Sequence, residues 1–164
     1  MSVLVACDPG VRGALAFFGP GNRVSVHDMP VRLKRNVSKV KNEVDPVALQ
    51  KLVRAHVPAD ETGLVVMENL NTFAGGSVQS MGSLEATKAV ICTVMELNRL
   101  DVAFVTPQAW QKFFGIRKTP SSDTKQQSLA LARKLFGVEY CPLAKHDGRA
   151  DALLIGRYGQ RHFV

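Results

Sequence analysis

Val3 to Met29 reads VLVACDPGVRGALAFFGPGNRVSVHDM, and the fold is decided there. Val3 to Cys7 is a short apolar run that stops at the turn signal Asp8-Pro9-Gly10. Gly13 to Phe18 is a second apolar run, closed by Gly19-Pro20-Gly21-Asn22, and Val24 to Met29 alternates as a half-buried strand does. Three strands joined by two short loops predict an antiparallel meander.

Beyond it the pattern changes period. Arg32, Lys34, Arg35, Lys39 and Lys41 stand in a ten-residue stretch without an acid, which predicts an exposed basic loop. Asp45-Pro46 opens a helix, with Asp45 as N-cap, and Val47, Leu49, Leu52 and Val53 are expected on its apolar face until Val57-Pro58. Leu64 to Met67 is a buried-type strand running into Glu68. Val78 to Leu97 carries Met81, Leu84, Ile91, Val94 and Met95 at helical spacing, and Val102 to Val105 is a fifth strand. Thr106-Pro107 starts a short helix through Phe114, stopped by Gly115. Ser122 or Asp123 caps another to Phe136, stopped by Gly137. A last helix starts near His146 or Asp147 and runs toward Tyr158. A meander followed by alternating helix and strand predicts one α/β domain over residues 1–164: a mixed five-stranded sheet with helices on both faces.

The chain has 164 residues, 46% of them apolar, enough for a core without cross-links. Cys7, Cys92 and Cys141 form no C-x-x-C pair and are odd in number, which fits reduced thiols. The start MSVLVACDPG has no basic region and too short an apolar run for a signal or a membrane span. The expected setting is the cytoplasm of a bacterial or phage-infected cell, with no membrane partner. Twenty-one Lys and Arg face fourteen Asp and Glu, a net charge of +7, which favours a polyanionic partner through counterion release.

Four carboxylates are candidates for chemistry. Asp8 ends the first strand, Glu68 ends the fourth, and Asp147 and Asp151 stand four apart, on one face if their segment is helical. Each has an ordinary alternative: a turn aspartate, a strand terminator, an N-cap, a first-turn acid favoured by the helix dipole. Gathered together they would repel and hold their protons unless a cation compensated, and hard oxygen donors suit Mg²⁺ or Mn²⁺. In a phosphodiester hydrolase such a cluster would hold two ions roughly 3.5–4 Å apart for in-line displacement.

At these residues the chain resembles the RuvC-family Holliday junction resolvases of the RNase H-like superfamily. Asp8-Pro9-Gly10-x-x-Gly13 resembles the family's opening turn, and Val65-Val66-Met67-Glu68-Asn69 the strand carrying its glutamate. Val105-Thr106-Pro107-Gln108-Ala109-Trp110-Gln111-Lys112 resembles the segment before its basic helix, and Asp151-Ala152-Leu153 the close of its last helix. The ending His146-Asp147-Gly148-Arg149-Ala150-Asp151 is most similar to phage-type and organellar members. Many bacterial members place an acid or histidine three residues before the last aspartate; here that position is Gly148. Asp147 is the preferred fourth ligand, with His146 as its substitute.

The resemblance implies a metal-dependent endonuclease that resolves four-way DNA junctions by paired symmetric nicks, acting as a homodimer. Asp8 would bridge two Mg²⁺ or Mn²⁺ ions, with Glu68 on one and Asp147 and Asp151 on the other. Lys125 falls where the family has a basic residue near the scissile phosphate; Lys112 is a weaker match, and Lys118 adds to the same basic surface. Phe73, in the glycine-rich stretch after Glu68, is either a wedge into an opened junction or a loop anchor. Gly82, Ala86 and Ala89 on the long helix would permit close approach of a second copy or of the sheet. Two other readings use the same residues: a nuclease of flaps, forks or RNA–DNA hybrids, and a branched-DNA binder without activity. An ATP-binding protein of the actin and sugar-kinase type needs two such domains, which 164 residues do not supply.

Overall fold

The structure is a computed structural model that describes residues 3–35, 42–69 and 78–164. The meander is formed by β1 (Val3–Asp8), β2 (Ala14–Phe18) and β3 (Val24–Asp28), paired antiparallel. There follow β4 (Val31–Leu33), β5 (Asn42–Val44), α1 (Pro46–His56), β6 (Gly63–Glu68), α2 (Val78–Leu97), β7 (Asp101–Val105), α3 (Pro107–Phe113), α4 (Thr124–Phe136) and α5 (Asp147–His162). The main sheet has the order β3-β2-β1-β6-β7, with β6 and β7 parallel to β1. This is the expected mixed five-stranded sheet.

The uninterrupted apolar reading of β1 has a simple cause: both of its faces are covered. Val3, Val5 and Cys7 point into a core with Leu49 and Val53 of α1 and Ile91, Val94 and Met95 of α2. Leu4 and Ala6 point the other way, into a core with Trp110, Ala132 and Leu153 to Ile155, from α3, α4 and α5. Alternation is present but invisible in the sequence because neither face is polar. α5 lies so close to the sheet that a Cβ on Gly156 would collide with the Phe18 ring.

The local signals at helix starts are realised. Asp45 Oδ1 accepts from the backbone N–H of Val47 and Ala48, both at 3.0 Å. Asp123 and Gln126 form a reciprocal capping box at α4.

Two expectations need correction. Val47 is 56% exposed, because 100° per residue places it across the α1 axis from Leu49 and Val53. The stretch from Arg32 to Lys41 is not simply an exposed basic loop. β4 pairs antiparallel with β5 in a separate two-stranded sheet, and Arg32 is half-buried and ion-paired to Glu43 at 3.0 Å. Lys34 and Arg35 follow that strand; Lys39, Lys41 and Phe73 lie outside the described residues. Among the described residues no helix is long and apolar enough to cross a membrane.

Candidate active site

The register of the two central strands assembles the first half of the site. Cys7 pairs with Met67, so the next residues, Asp8 and Glu68, stand side by side at the carboxyl ends of adjacent parallel strands. Cys7 and Met67 point into the α1–α2 core, and period two turns Asp8 and Glu68 to the opposite face, where α5 packs. α5 supplies the second half, since Asp147 and Asp151 lie one turn apart on it.

Two contacts hold that helix in place. Arg149 grips Asp28 of β3 through two bonds of 2.7 and 2.9 Å. Gly148 abuts the turn after β1, where a Cβ would lie 2.6 Å from the Arg12 carbonyl and 3.2 Å from Asp8 Oδ2. Gly13, at the end of that turn, has no room for a Cβ either, because the Asp8 carbonyl occupies the space. The glycines of the D-P-G-x-x-G turn and of α5 thus let two backbones meet beside a carboxylate.

Burial pushes the Asp8 carboxyl well above the ordinary aspartate range, and the charges of Asp151, Glu68 and Asp147 push it further; Lys125 opposes them. Burial raises Glu68 as well, although a hydrogen bond from Trp110 pulls it back. Asp151 is pushed up to about 7, first by burial and then by Glu68 and Asp147, with the buried Ser128 hydroxyl lowering it. Its Oδ1 is buried without a hydrogen-bond partner. Lys125 Nζ meets Asp147 Oδ2 at 2.8 Å from a largely exposed position.

These four carboxylates therefore act on one another as a single negative cluster, with Lys125 as the cation beside it. Their hard oxygens, mutual repulsion and the orphaned Asp151 Oδ1 fit a divalent cation. Among the described residues no three such side chains close around one point. Glu68 meets Trp110 instead, and Asp147 meets Lys125.

Of the other expected residues, Lys112 and Lys118 are exposed, on the last turn of α3 and in the loop after it. His146 is almost buried, and its Nδ1 accepts the Leu143 N–H at 3.2 Å. It closes the turn before α5, whereas Asp147 is the neighbour whose charge reaches Asp8 and Asp151. Gly82, Ala86 and Ala89 are exposed on α2 and do not pack on the sheet.

Trp110 is the residue that sequence reasoning missed. Fully buried, it donates Nε1–H to Glu68 Oε1 at 2.8 Å. The stretch around it was quoted above, but nothing in a sequence aims an indole N–H at an acid 42 positions away. Trp110→Phe is expected to cost about 2 kcal/mol, the scale of a hydrogen bond to a buried charged group. Because that bond lowers the Glu68 pKa, its loss should raise it, and any pH profile that depends on ionised Glu68 should move to higher pH. Urea midpoints and a pH–rate series check both, and an unmoved profile would remove Trp110 from the site.

No sequence-family profile matches the chain, and no curated protein does. Solved structures do. Thermus thermophilus RuvC in complex with a Holliday junction substrate superposes with a TM-score of 0.56 at 14% identity, covering 100% of this chain and 98% of that one. A second structure of Thermus thermophilus RuvC gives 0.54 at 13% identity, over 97% and 95%. The yeast mitochondrial Holliday junction resolvase Ydc2 gives 0.43 at 10% identity, over 99% and 81%. At such identities the likeness is one of architecture: the described residues have a RuvC-type fold.

Proposed function

We propose that this protein is a metal-dependent endonuclease that resolves four-way DNA junctions as a homodimer. One arrangement carries the reading: Asp8, Glu68, Asp147 and Asp151 converge from β1, β6 and α5 on a single face of the sheet, in a chain of net charge +7. Outside that cluster, ten acids (fourteen less four) stand against twenty-one bases, so an acidic cluster sits on a basic body. A polyanion is attracted to the surface, and a cation is needed to bring it to the pocket.

Asp8 and Glu68 would hold one ion, and Asp8 with Asp147 and Asp151 the other. When bound, Mg²⁺ or Mn²⁺ would supply Lewis-acid activation of the attacking water and of the phosphate. The protein's own groups do the rest. The Arg149–Asp28 pair and Gly148 fix the helix that carries two of the acids. Trp110 orients Glu68. Lys125, largely exposed beside Asp147, would be the cation placed to meet a phosphate oxygen. Lys112, Lys118, Lys34 and Arg35 are exposed or half-buried bases that would track the DNA backbone.

Two nicks placed symmetrically across a junction need two such sites related by a twofold axis. α2 is the face proposed for that contact. Gly82, Ala86 and Ala89 are exposed, Leu97 at the same helix's end is three-quarters exposed, and a Cβ on Gly82 would meet nothing within 4 Å.

The test is cleavage of a labelled four-way junction in Mg²⁺ or Mn²⁺, beside a flap, a fork and a linear duplex. Symmetric nicks on the junction, abolished by chelator, are expected. Preference for flaps or forks would keep the acid cluster as a nuclease site and discard the resolvase. Tight junction binding without cutting in either metal would leave a branched-DNA binder.

A further inference from the structure

Away from the acids, β3 and α1 bring together two histidines 29 positions apart. His27 Nε2 and His56 Nε2 are 3.1 Å apart, both rings half-buried and reachable from solvent. We propose that His27 and His56 form a separate binding site for a borderline-soft divalent cation of the Zn²⁺, Ni²⁺ or Cu²⁺ kind.

One hydrogen bond assigns the outer nitrogen of His56. His56 Nδ1 lies 3.0 Å from the Leu52 carbonyl, which can only accept, so Nδ1 carries a proton and Nε2 of the neutral ring turns its lone pair to His27. That outward hydrogen bond to a carbonyl is the support that metal-binding histidines ordinarily have. With both rings neutral, His27 Nε2–H is then the donor to His56. Moving that one proton to His27 Nδ1 through solvent leaves two neutral imidazoles, both presenting Nε2. No proton is lost and no charge has to be removed. Burial, His56 and Arg149 lower the His27 pKa, which keeps the ring neutral near pH 7.

The spacing is that of a chelate. Metal–nitrogen bonds of about 2.0–2.1 Å put two ligand nitrogens about 2.9 Å apart at a right angle and about 3.3 Å apart at the tetrahedral angle. The observed 3.1 Å lies between. The ring centroids are only 4.7 Å apart with the planes at 63°, so the contact is bent and leaves one side of it open to an ion within reach of both nitrogens. His56 is further held by stacking on Phe17 at 4.2 Å. Among the described residues no third His, Cys, Asp or Glu completes a cage. The remaining positions therefore go to water or to a ligand entering the adjacent groove of about 640 Å³, whose walls include His56, Arg23 and Glu61. Imidazole nitrogens select such cations over Mg²⁺, which the oxygen cluster prefers. A bound ion would tie the edge strand β3 to α1, next to the Asp28 that anchors α5.

The test is calorimetric titration of the whole protein with Ni²⁺ alone. One equivalent bound in the micromolar range is expected, unaffected by millimolar Mg²⁺ and lost in His27→Gln and in His56→Gln. At a hundredfold excess over Kd, Ni²⁺ should raise Tm by about 5 °C. Unchanged binding in either variant, or displacement of Ni²⁺ by Mg²⁺, would overturn the site. Should both variants misfold, ring proton NMR of the unaltered protein under Zn²⁺ decides: His27 and His56 must respond before His146 and His162, and the reverse order rejects the proposal.

Discussion

Asp151→Asn is expected to reduce phosphodiester cleavage by on the order of 10³-fold while making the protein more stable at pH 8. The first effect follows from removing a charged oxygen donor from the cluster. The second follows from what that charge does to the fold. Asp151 has its pKa raised to about 7 from an ordinary 3.8, chiefly by burial and by Glu68 and Asp147. The folded state therefore holds its proton more tightly than the unfolded state. That contribution is fully present below about pH 4, where both states are protonated, and is lost as pH rises through 7.

A shift of about 3 units corresponds to about 4 kcal/mol at most, and partial solvent access brings the expected loss to about 2 kcal/mol. Asp8 and Glu68, also raised, add to it with the same sign. Asparagine at 151 removes one titrating group, so its stability curve between pH 4 and 8 should be flatter and should lie above the parent's at the alkaline end. Mg²⁺ should raise the parent's Tm most at pH 8, where the acids are ionised, and raise the variant's less. Thermal melts across that range, with and without Mg²⁺, separate this reading from simple misfolding. Retained cleavage, or a variant curve parallel to the parent's, would take Asp151 out of the cluster.

How far the sequence could lead is visible in the same residues. Asp8 was legible as a strand end because Pro-Gly follows it, and Glu68 because the apolar run from Leu64 to Met67 stops there. That they are neighbours depends on the parallel pairing of Cys7 with Met67, 60 positions apart, and on the parity that turns both toward α5. Period two settles the facing direction only once the register is known. Helix caps were legible because their partners sit two or three residues away, as at Asp45 and Asp123. What escaped is non-local: Trp110 on Glu68, Arg149 on Asp28, His27 on His56. The β4–β5 pair escaped for another reason, since strands of three residues are too short for alternation to register. Glu43, just past the basic run, was the one sequence hint that Arg32 has a partner.

The position that departs from the resembled family yields the other large effect. Replacing a helical glycine by alanine ordinarily gains up to about 1 kcal/mol. At Gly148 the sign should reverse, because the new Cβ would lie 2.6 Å from the Arg12 carbonyl and 3.2 Å from both Gly13 Cα and Asp8 Oδ2. Two of these are backbone atoms of a tight turn and cannot swing aside, so α5 must move. Overpacking of this kind costs about 2 kcal/mol. Displacing Asp147 and Asp151 from Asp8 by even an ångström should lower cleavage on the order of 10²-fold. A gain in stability in Gly148→Ala would show the contact to be looser than this.

The same geometry suits the proposed place of the fourth acid at 147. A carboxylate on residue 148 would have to pass between Arg12 and Gly13 and would arrive against Asp8 itself, adding repulsion where the pKa is already raised. Moving the acid one residue earlier places it beside Lys125 instead, at 2.8 Å. Asp147→Asn combined with Gly148→Asp, which restores the spacing common in the resembled family, should therefore cut no better than Asp147→Asn alone. Recovery of junction cleavage in the double variant would mean that α5 yields, and that Asp147 owes its place to something other than the closeness of this turn.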